Sequence, residues 1–193
     1  MRRLRLVLAC ALPALLTACA TPLLGPECTR FGHDGQICLL PPAALPALEG
    51  SRMVKVVHGG REDAFLGVLH IDAKDLRLAG FSLFGTSLFE LSFDGTRSTM
   101  VPAGGDLKPE ILVAMLELAL ADPKPLQDRL HGLTLMVTDQ AGVETRDLSE
   151  SGHPIAHLER HGASLTDADI RIDIPPAGLT VEMSPIGGTP VQP

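Results

Sequence analysis

Apolar and polar residues alternate through most of the chain between Arg52 and Met183. Phe89, Leu91 and Phe93, for example, are separated by polar residues. A period of two is typical of β-strands that bury one face. Turn-forming Asp–Gly and Gly-containing segments divide these runs, so the pattern predicts consecutive antiparallel strands. We expect a mainly β (α+β) fold of about ten strands, and sheets of that size usually curl or close.

One segment departs from this alternation. Residues 109–121 read PEILVAMLELALA, with proline at a favourable first helical position. Only Glu110 and Glu117 are polar, so the segment predicts a nearly all-apolar helix that other parts of the chain must cover. We expect this helix in or over the concavity of a curved half-barrel, or between the sheet and a membrane. An ordinary core helix that closes one end of the barrel is the alternative.

The composition excludes several classes of protein. The chain has 193 residues, of which 45% are hydrophobic and 20% charged, as in an ordinary globular domain. Lys and Arg number 16 against 23 Asp and Glu, which gives a net charge of −7, and Trp and Tyr are absent. Nucleic-acid binding depends on positive charge and often on aromatic stacking, so we expect no nucleic-acid partner.

Residues 1–18 have the pattern of a secretory signal peptide: a basic start, an apolar stretch and small residues at the end. Residues 16–19, LTAC, resemble the lipobox of bacterial lipoproteins, in which the cysteine is acylated and the signal is cut before it. The resemblance implies lipidation of Cys19. Ala20, where an aspartate would retain the protein at the inner membrane, implies an anchor in the outer membrane on its periplasmic face. The alternative is an ordinary cleavage site beside a chance cysteine.

Four segments follow from this interpretation: the cleaved signal at 1–18, a lipidated N-terminus and Pro-rich stalk at 19–50, a domain at 51–184 and a loose tail at 185–193. For residues 39–50 the alternative to a stalk is a strand that leads into the domain. Without the signal, Lys and Arg number 13 against 23 acidic residues, a net charge of −10. Such a domain should not adhere electrostatically to anionic lipid, so any membrane contact beyond the anchor should be apolar.

Cys28 and Cys38 are the other cysteines of the processed chain. In an oxidising compartment we expect them to form a disulfide that stabilises the fold by about 2 to 3 kcal/mol. A redox or metal pair is the alternative, but their spacing is neither that of a Cys-x-x-Cys motif nor that of a zinc site.

Motifs for catalysis are absent: the sequence has no nucleophile elbow, phosphate loop, dinucleotide fingerprint or His-Glu-x-x-His. His153, His157 and His161 invite a metal site, but Pro154 and the surrounding pattern favour a strand. Four residues of a strand span about 13 Å, too far for two ligands of one zinc ion. We expect solvated histidines, and we expect the acidic residues at 167 and 169 to face water. The sequence therefore predicts no enzyme, no metal site and no cofactor.

A signal peptide with a lipobox, many antiparallel strands and one apolar helix resemble the LolA/LolB-type lipoprotein carriers. These proteins are half-barrels with helices in the concavity and a hollow that binds acyl chains. The run at 76–95 and the helix end at 116–123 also resemble a family of outer-membrane lipoproteins, often encoded with aryl-polyene or fatty-acid-type biosynthesis genes and distantly LolB-like. That likeness spans about residues 50–184. One departure is Asp122, where that family often carries a tryptophan.

Two groups of residues are candidate sites. The apolar strand and helix faces would line a hollow, where each methylene of a bound chain contributes about 0.8 kcal/mol. Its candidate lining residues are Phe65, Leu69, Phe89, Leu91, Phe93, Leu112, Met115, Leu116 and Leu120. The same side chains could instead fill a solid core. In the turn at 80–85, Leu83 and Phe84 could contact a bilayer, as the LolB likeness implies, or be buried against a neighbouring strand.

The sequence thus predicts a non-enzymatic, lipid-anchored envelope protein. We expect it to bind an acyl or polyene-lipid moiety and to assist its transfer or insertion at the outer membrane. Its expected partners are the membrane, through the acyl anchor, and a hydrophobic ligand. The first alternative is a structural or assembly lipoprotein with a solid core that holds another envelope protein. The second is a periplasmic hydrolase that uses His153 or His157 with an acidic partner.

Overall fold

A computed structural model describes residues 27–101, 108–162 and 164–186. Within them lie thirteen strands and two α-helices, with short 3-10 helices at Pro42–Ala44 and Pro175–Ala177. In chain order the elements are β1 Cys28–Arg30, β2 Gln36–Cys38, β3 Leu48–His58, β4 Arg61–Ile71, β5 Leu76–Phe81, β6 Ser87–Phe93, β7 Ser98–Val101, α1 Pro109–Leu120, α2 Pro123–Gln127, β8 Leu130–His131, β9 Leu133–Gln140, β10 Val143–Glu150, β11 His153–His161, β12 Asp169–Ile174 and β13 Leu179–Pro185.

Ten of the strands form one antiparallel sheet in the order β7-β6-β5-β4-β3-β13-β12-β11-β10-β9. Apart from the β3–β13 pair, which joins the two ends of the domain, every neighbour in the sheet is also a neighbour in sequence. The sheet is curved and does not close into a barrel. The predicted mainly β fold with about ten antiparallel strands is therefore confirmed.

The period of two in the sequence separates two faces of this sheet. Leu69, Leu91 and Ile172 are buried on the inner face and belong to one hydrophobic core. The residues that alternate with these along each strand point to the outer face. Hairpin turns keep this alternation in register: at the β6–β7 turn, for example, the Asp94 carboxylate accepts hydrogen bonds from the backbone N–H groups of Thr96 and Arg97.

Helix α1 lies over the inner face, as the apolar pattern predicts. It contacts β7 and β11 of the large sheet and β1 on its other side. Residues 113–120 are all buried, so the helix is covered around its whole circumference. Its C-terminal end is held by Arg146, whose Nη1 donates to the carbonyl oxygens of Leu118 at 2.9 Å and Ala121 at 2.7 Å. These bonds satisfy carbonyl groups that a helix end leaves without partners.

Residues 27–45 form a segment that we call the strap, because it crosses the concave side over α1. Its strands β1 and β2 pair with β8 in a three-stranded sheet. At one edge of the large sheet, the Glu27 carboxylate accepts a hydrogen bond of 2.7 Å from the Ser98 backbone N–H. Toward the opposite edge, at the end of β10, the Glu150 carboxylate accepts bonds of 2.6 to 2.8 Å from the backbone N–H groups of residues 33–35.

The strap corrects one expectation. The segment up to residue 50 is not a stalk, because Ile37, Leu39 and Leu45 are buried in the core and residues 48–50 begin β3. The folded domain therefore begins by residue 27 rather than at 51. Pro185 belongs to β13, while the predicted signal, Cys19 and residues 187–193 of the predicted tail lie outside the described residues. Among the described helices, none is long and apolar enough to span a membrane.

Candidate functional site

The candidate lining residues are brought together on the concave side, but α1 fills the space between them. Six of the nine are buried in the core: Leu69, Leu91, Phe93, Met115, Leu116 and Leu120. The other three are partly buried and pack against that core: Phe65, Phe89 and Leu112. Side chains of the sheet and of α1 therefore pack against one another in one core. Of the two expectations, an empty hollow or a solid core, the structure has the solid core.

The best-formed cavities among the described residues do not suit an acyl chain. One has a volume of about 10 Å³ beside Leu48, Arg52 and Leu69, which is barely enough for a single water molecule. The other, of about 440 Å³, is an open depression lined by polar groups that include His33, Glu150 and His153. In the structure as described, the interior is a packed core.

An aromatic pair marks one end of the concave face. The rings of Phe65 and Phe89 meet edge to face, with centroids 5.5 Å apart and an interplanar angle of 77°. Gly80 makes this arrangement possible, because a Cβ atom there would lie 2.3 Å from Cε1 of Phe89. Both rings are partly exposed and lie at the end of the sheet where β5 turns into β6.

The turn between β5 and β6 carries the most exposed large apolar side chain of the described residues. Phe84 is 98% exposed and Leu83 is 60% exposed. The turn is closed by the Ser82 N–H, which donates to the Thr86 carbonyl at 2.7 Å. Gly85 adopts a φ of +83°, a conformation that favours glycine. Burial of Leu83 and Phe84 against a neighbouring strand, one of the two expectations for this turn, is therefore not what the structure has.

This hairpin also lacks charge over a long stretch. From Leu78 through Phe89 the sequence contains no Asp, Glu, Lys, Arg or His. We call residues 82–86 the hairpin tip. An uncharged tip with an exposed phenylalanine and leucine is suited to contact an apolar phase, because no charged group has to lose its hydration.

His157 and His161 lie on the outer face of β11, on either side of Glu159. His157 Nδ1 lies 2.7 Å from Asp147 Oδ1, and Nε2 lies 3.3 Å from Glu159 Oε1. The hydrogen bond to Asp147 raises the pKa of His157. His161 Nε2 lies 3.4 Å from the same Glu159 carboxylate. Both imidazoles are thus held by acidic neighbours on a solvated surface, whereas His153 lies at the other end of the strand.

The acidic residues at 167 and 169 lie on either side of Ala168, whose backbone contacts a buried arginine. Ala168 between them accepts a hydrogen bond of 2.6 Å from Nη1 of the buried Arg52, whose Nη2 also donates to the Leu165 carbonyl. Burial lowers the pKa of Arg52, and the carboxylates of Asp167 and Asp169 act in the opposite direction. Their arrangement therefore places negative charge near a buried cation.

The structure adds two polar features that sequence reasoning missed. The first comprises His70, Asp72 and Asp75, whose possible ligand atoms lie within 4.8 Å of one another. Asp72 there accepts hydrogen bonds from the backbone N–H groups of Lys74 and Asp75, and so it also shapes the β4–β5 turn. His70 and Asp72 are close in sequence at the end of β4, but only the turn brings Asp75 beside them.

The second feature is Glu117, which is 0% exposed in the middle of α1. Its Oε1 accepts a hydrogen bond of 3.0 Å from the Leu40 backbone N–H in the strap, while Oε2 is buried without a hydrogen-bond partner. Burial raises the pKa of Glu117 to about 8. The sequence presented this residue as one of the few polar groups that α1 could turn to water.

The two cysteines form a disulfide across the β1–β2 pair, with their Cα atoms 3.9 Å apart. It closes the β1–β2 hairpin of the strap, which belongs to the three-stranded sheet, whereas the hairpin tip belongs to the ten-stranded sheet. Cys19, the predicted lipidation site, lies outside the described residues.

The fold and the site define a class: an open, curved antiparallel sheet with one helix on its concave face and an uncharged, exposed hairpin tip. The chain belongs to DUF3261, a family of proteins of unknown function, whose model matches residues 51–187. No curated protein matches the chain. The match covers α1 and the ten-stranded sheet except for residues 48–50 of β3, and the strap precedes it.

Proposed function

We propose that this chain is a lipid-anchored envelope protein that binds an acyl or polyene-lipid moiety and assists its transfer or insertion at the outer membrane. The observation that carries the proposal is the hairpin tip, where Phe84 is 98% exposed in a stretch without charge. Transfer of Phe84 and Leu83 into a bilayer would remove apolar surface from water. Each Å² removed contributes a favourable transfer free energy of roughly 25 cal/mol.

The architecture supports a LolA/LolB-like carrier. A curved antiparallel sheet that stays open, with a helix over its concave face, has the arrangement that the resemblance implies. The lipobox at 16–19 would keep such a domain beside the membrane, and the hairpin tip would contact that membrane directly. The net negative charge agrees with a contact that is apolar rather than electrostatic.

A bound acyl chain needs space that the packed interior provides only by rearrangement. We place the entry at the Phe65–Phe89 pair, because these rings are partly exposed and lie at the same end of the sheet as the hairpin tip. From there an acyl chain would move α1 away from the inner face and replace its side chains with methylenes, each contributing about 0.8 kcal/mol.

Liposome flotation of the chain from Ala20 onward, which lacks the acylation site, tests the hairpin tip. We expect the double substitution Leu83→Ser and Phe84→Ser to weaken binding to phosphatidylcholine vesicles by about a hundredfold, since each of the two lost apolar contacts contributes about 1.5 kcal/mol. Met136→Ser is the matched control, because Met136 is as exposed as Leu83 but lies on β9. Equal binding of the double variant and the control would contradict the proposal.

The packed interior favours one second candidate, a structural or assembly lipoprotein that holds another envelope protein. The two candidates differ in what the protein carries when it is extracted from its own membrane. Stoichiometric lipid, identified by mass spectrometry of the purified protein, supports the carrier. Its absence, together with unchanged vesicle binding of the hairpin-tip variant, supports the scaffold.

A further inference from the structure

The outer face of the sheet carries apolar side chains beside the hairpin tip. Met53 pairs with Leu66, and Leu66 pairs with Phe81, so these residues form a line across β3, β4 and β5. Val68 lies two residues after Leu66 on the same face of β4. Leu88 lies on the same face of the sheet on β6, the next strand after β5. These five residues are the outer apolar patch. It extends about 15 Å across four strands.

The patch is accessible in the structure. Met53 is 39% exposed, Leu88 is 42% exposed and Val68 is also exposed, while Leu66 and Phe81 are partly buried. On most β-domains with one solvated face, that face is polar. The other half of this outer face follows the rule, because β10–β13 present acidic, basic and imidazole groups there. The patch is thus an apolar exception that begins next to the hairpin tip, and on β6 it ends at the exposed Glu90, which follows Leu88 on the same face.

Charges of both signs border the patch. On one side, the Lys55 ammonium lies 3.2 Å from the Glu62 carboxylate. On the other side, Glu49 pairs with His70, and His70 pairs with Arg77 along the next row of the outer face. A border with both signs matches zwitterionic phospholipid headgroups, which also carry both signs at short distance.

We propose that the outer apolar patch rests on the bilayer together with the hairpin tip, so that the sheet lies flat on zwitterionic lipid. The inference rests on the proposed function and assigns the membrane as the occupant of this face. Phe81 links the two surfaces, because it belongs to the patch and directly precedes Ser82 of the tip.

The length of chain before Glu27 permits both an upright and a flat orientation, and it leaves more slack in the flat one. From a lipidated Cys19, the chain reaches at most about 28 Å to Glu27. Glu27 is bonded to Ser98, beside the β6–β7 turn and at the opposite end of β6 from the hairpin tip. With the tip alone inserted and β6 upright, its seven residues would hold Glu27 more than about 20 Å above the bilayer. With the patch on the bilayer, the height is about one sheet thickness, near 10 Å.

Tryptophan fluorescence tests the orientation, since the chain contains no Trp of its own. The full lipidated protein is reconstituted into phosphatidylcholine vesicles with brominated acyl chains, which quench Trp at the membrane. Three single variants are compared: Phe84→Trp at the tip, Met53→Trp in the patch and Met136→Trp as the matched control on the outer face of β9. Circular dichroism identifies any variant that fails to fold, and Val68→Trp then replaces Met53→Trp.

We expect Phe84→Trp and Met53→Trp to lose about half of their fluorescence and Met136→Trp to keep it, because interfacial groups lie about 5 to 10 Å deep. Quenching at position 84 alone would overturn the flat orientation and leave the proposed function standing. Quenching at neither position would overturn both. Equal quenching at 53 and 136 would overturn the patch as a specific contact. A concentration-dependent blue shift at 53 without quenching would assign the patch to a second copy of the chain.

Discussion

At the scale of single residues, Glu117 shows what the sequence could not predict. The apolar pattern of α1 was sufficient to predict its helix, and the pattern placed Glu117 among the few groups available to water. The strap covers that side, however, and its Leu40 N–H is the hydrogen-bond partner of the carboxylate. Residues 40 and 117 are far apart in sequence and neither belongs to a periodic pattern that indicates the other.

This carboxyl makes stability depend on pH. The folded-state pKa of about 8 lies above the ordinary value of 4.5, so folding keeps a proton that the unfolded chain releases. The contribution of Glu117 to the free energy of unfolding should therefore be highest below pH 4.5, fall between pH 4.5 and 8 and level off above pH 8. The difference amounts to at most about 5 kcal/mol.

Urea unfolding at pH 5 and pH 8.5 checks this prediction. Glu117→Gln, which has no proton to lose, should remove most of the decrease seen in the unsubstituted protein. Glu110→Gln is the control, because Glu110 lies in the first turn of the same helix and is only partly buried. A decrease of the same size in Glu117→Gln and the unsubstituted protein would disprove the role of this carboxyl.

At the scale of elements, Arg146 couples β10 to the end of α1. Its guanidinium is buried, donates to two carbonyls of the helix end and pairs with Glu144 at 2.6 Å. We expect Arg146→Met to lower the free energy of unfolding by about 3 kcal/mol, because it leaves the helix carbonyls without their donor, while Glu144 keeps only Arg160, at 2.7 Å, as a partner.

The control for Arg146 is Arg171→Met on the outer face. Arg171 makes short contacts to Asp173 and Glu182, but it is solvent-exposed, so its loss should cost about 1 kcal/mol or less. Urea unfolding at one pH compares the two variants. Similar losses would mean that Arg146 acts as an ordinary surface charge and does not hold α1.

The elements differ in how far the sequence predicts them. The strands and α1 follow from their own periodicity, and the turn at 94–97 follows from Asp94–Gly95. The strap does not, because its prolines at 41 and 42, with another directly after it at 46, give this part of the chain the composition of an extended linker. Its position depends on Glu27 and Glu150, whose partners lie 71 to 117 residues away in sequence. Contacts of that separation leave no local pattern.

At the scale of the whole molecule, the proposed lipid anchor would determine where the hairpin tip can act. Cys19→Ser should give an unprocessed or soluble product, since the side chain that accepts the lipid is lost. Membrane fractionation and metabolic labelling with a fatty acid measure this outcome. Cys10→Ser, within the predicted signal, should be fractionated and labelled normally. Normal labelling of Cys19→Ser would refute the lipobox.

The concave face illustrates the limit of sequence reasoning about this molecule. Period-two patterns correctly place Leu69, Leu91 and Phe93 on one buried face. The same patterns cannot distinguish an empty interior from a packed one, because both need apolar side chains. Exposure of the hairpin tip was equally undecided, since Leu83 and Phe84 would be apolar whether they met a strand, a bilayer or water.

The strap also imposes an order on folding. It is synthesised before every element that it contacts, and its disulfide hairpin can close early because the cysteines are only 10 residues apart. Its docking must wait until β10 has been made, since Glu150 at the end of β10 supplies the carboxylate that holds residues 33–35. Contacts of such long range form slowly. The first folded piece of this domain is therefore among the last to reach its final position, and α1 remains uncovered on that side until it does.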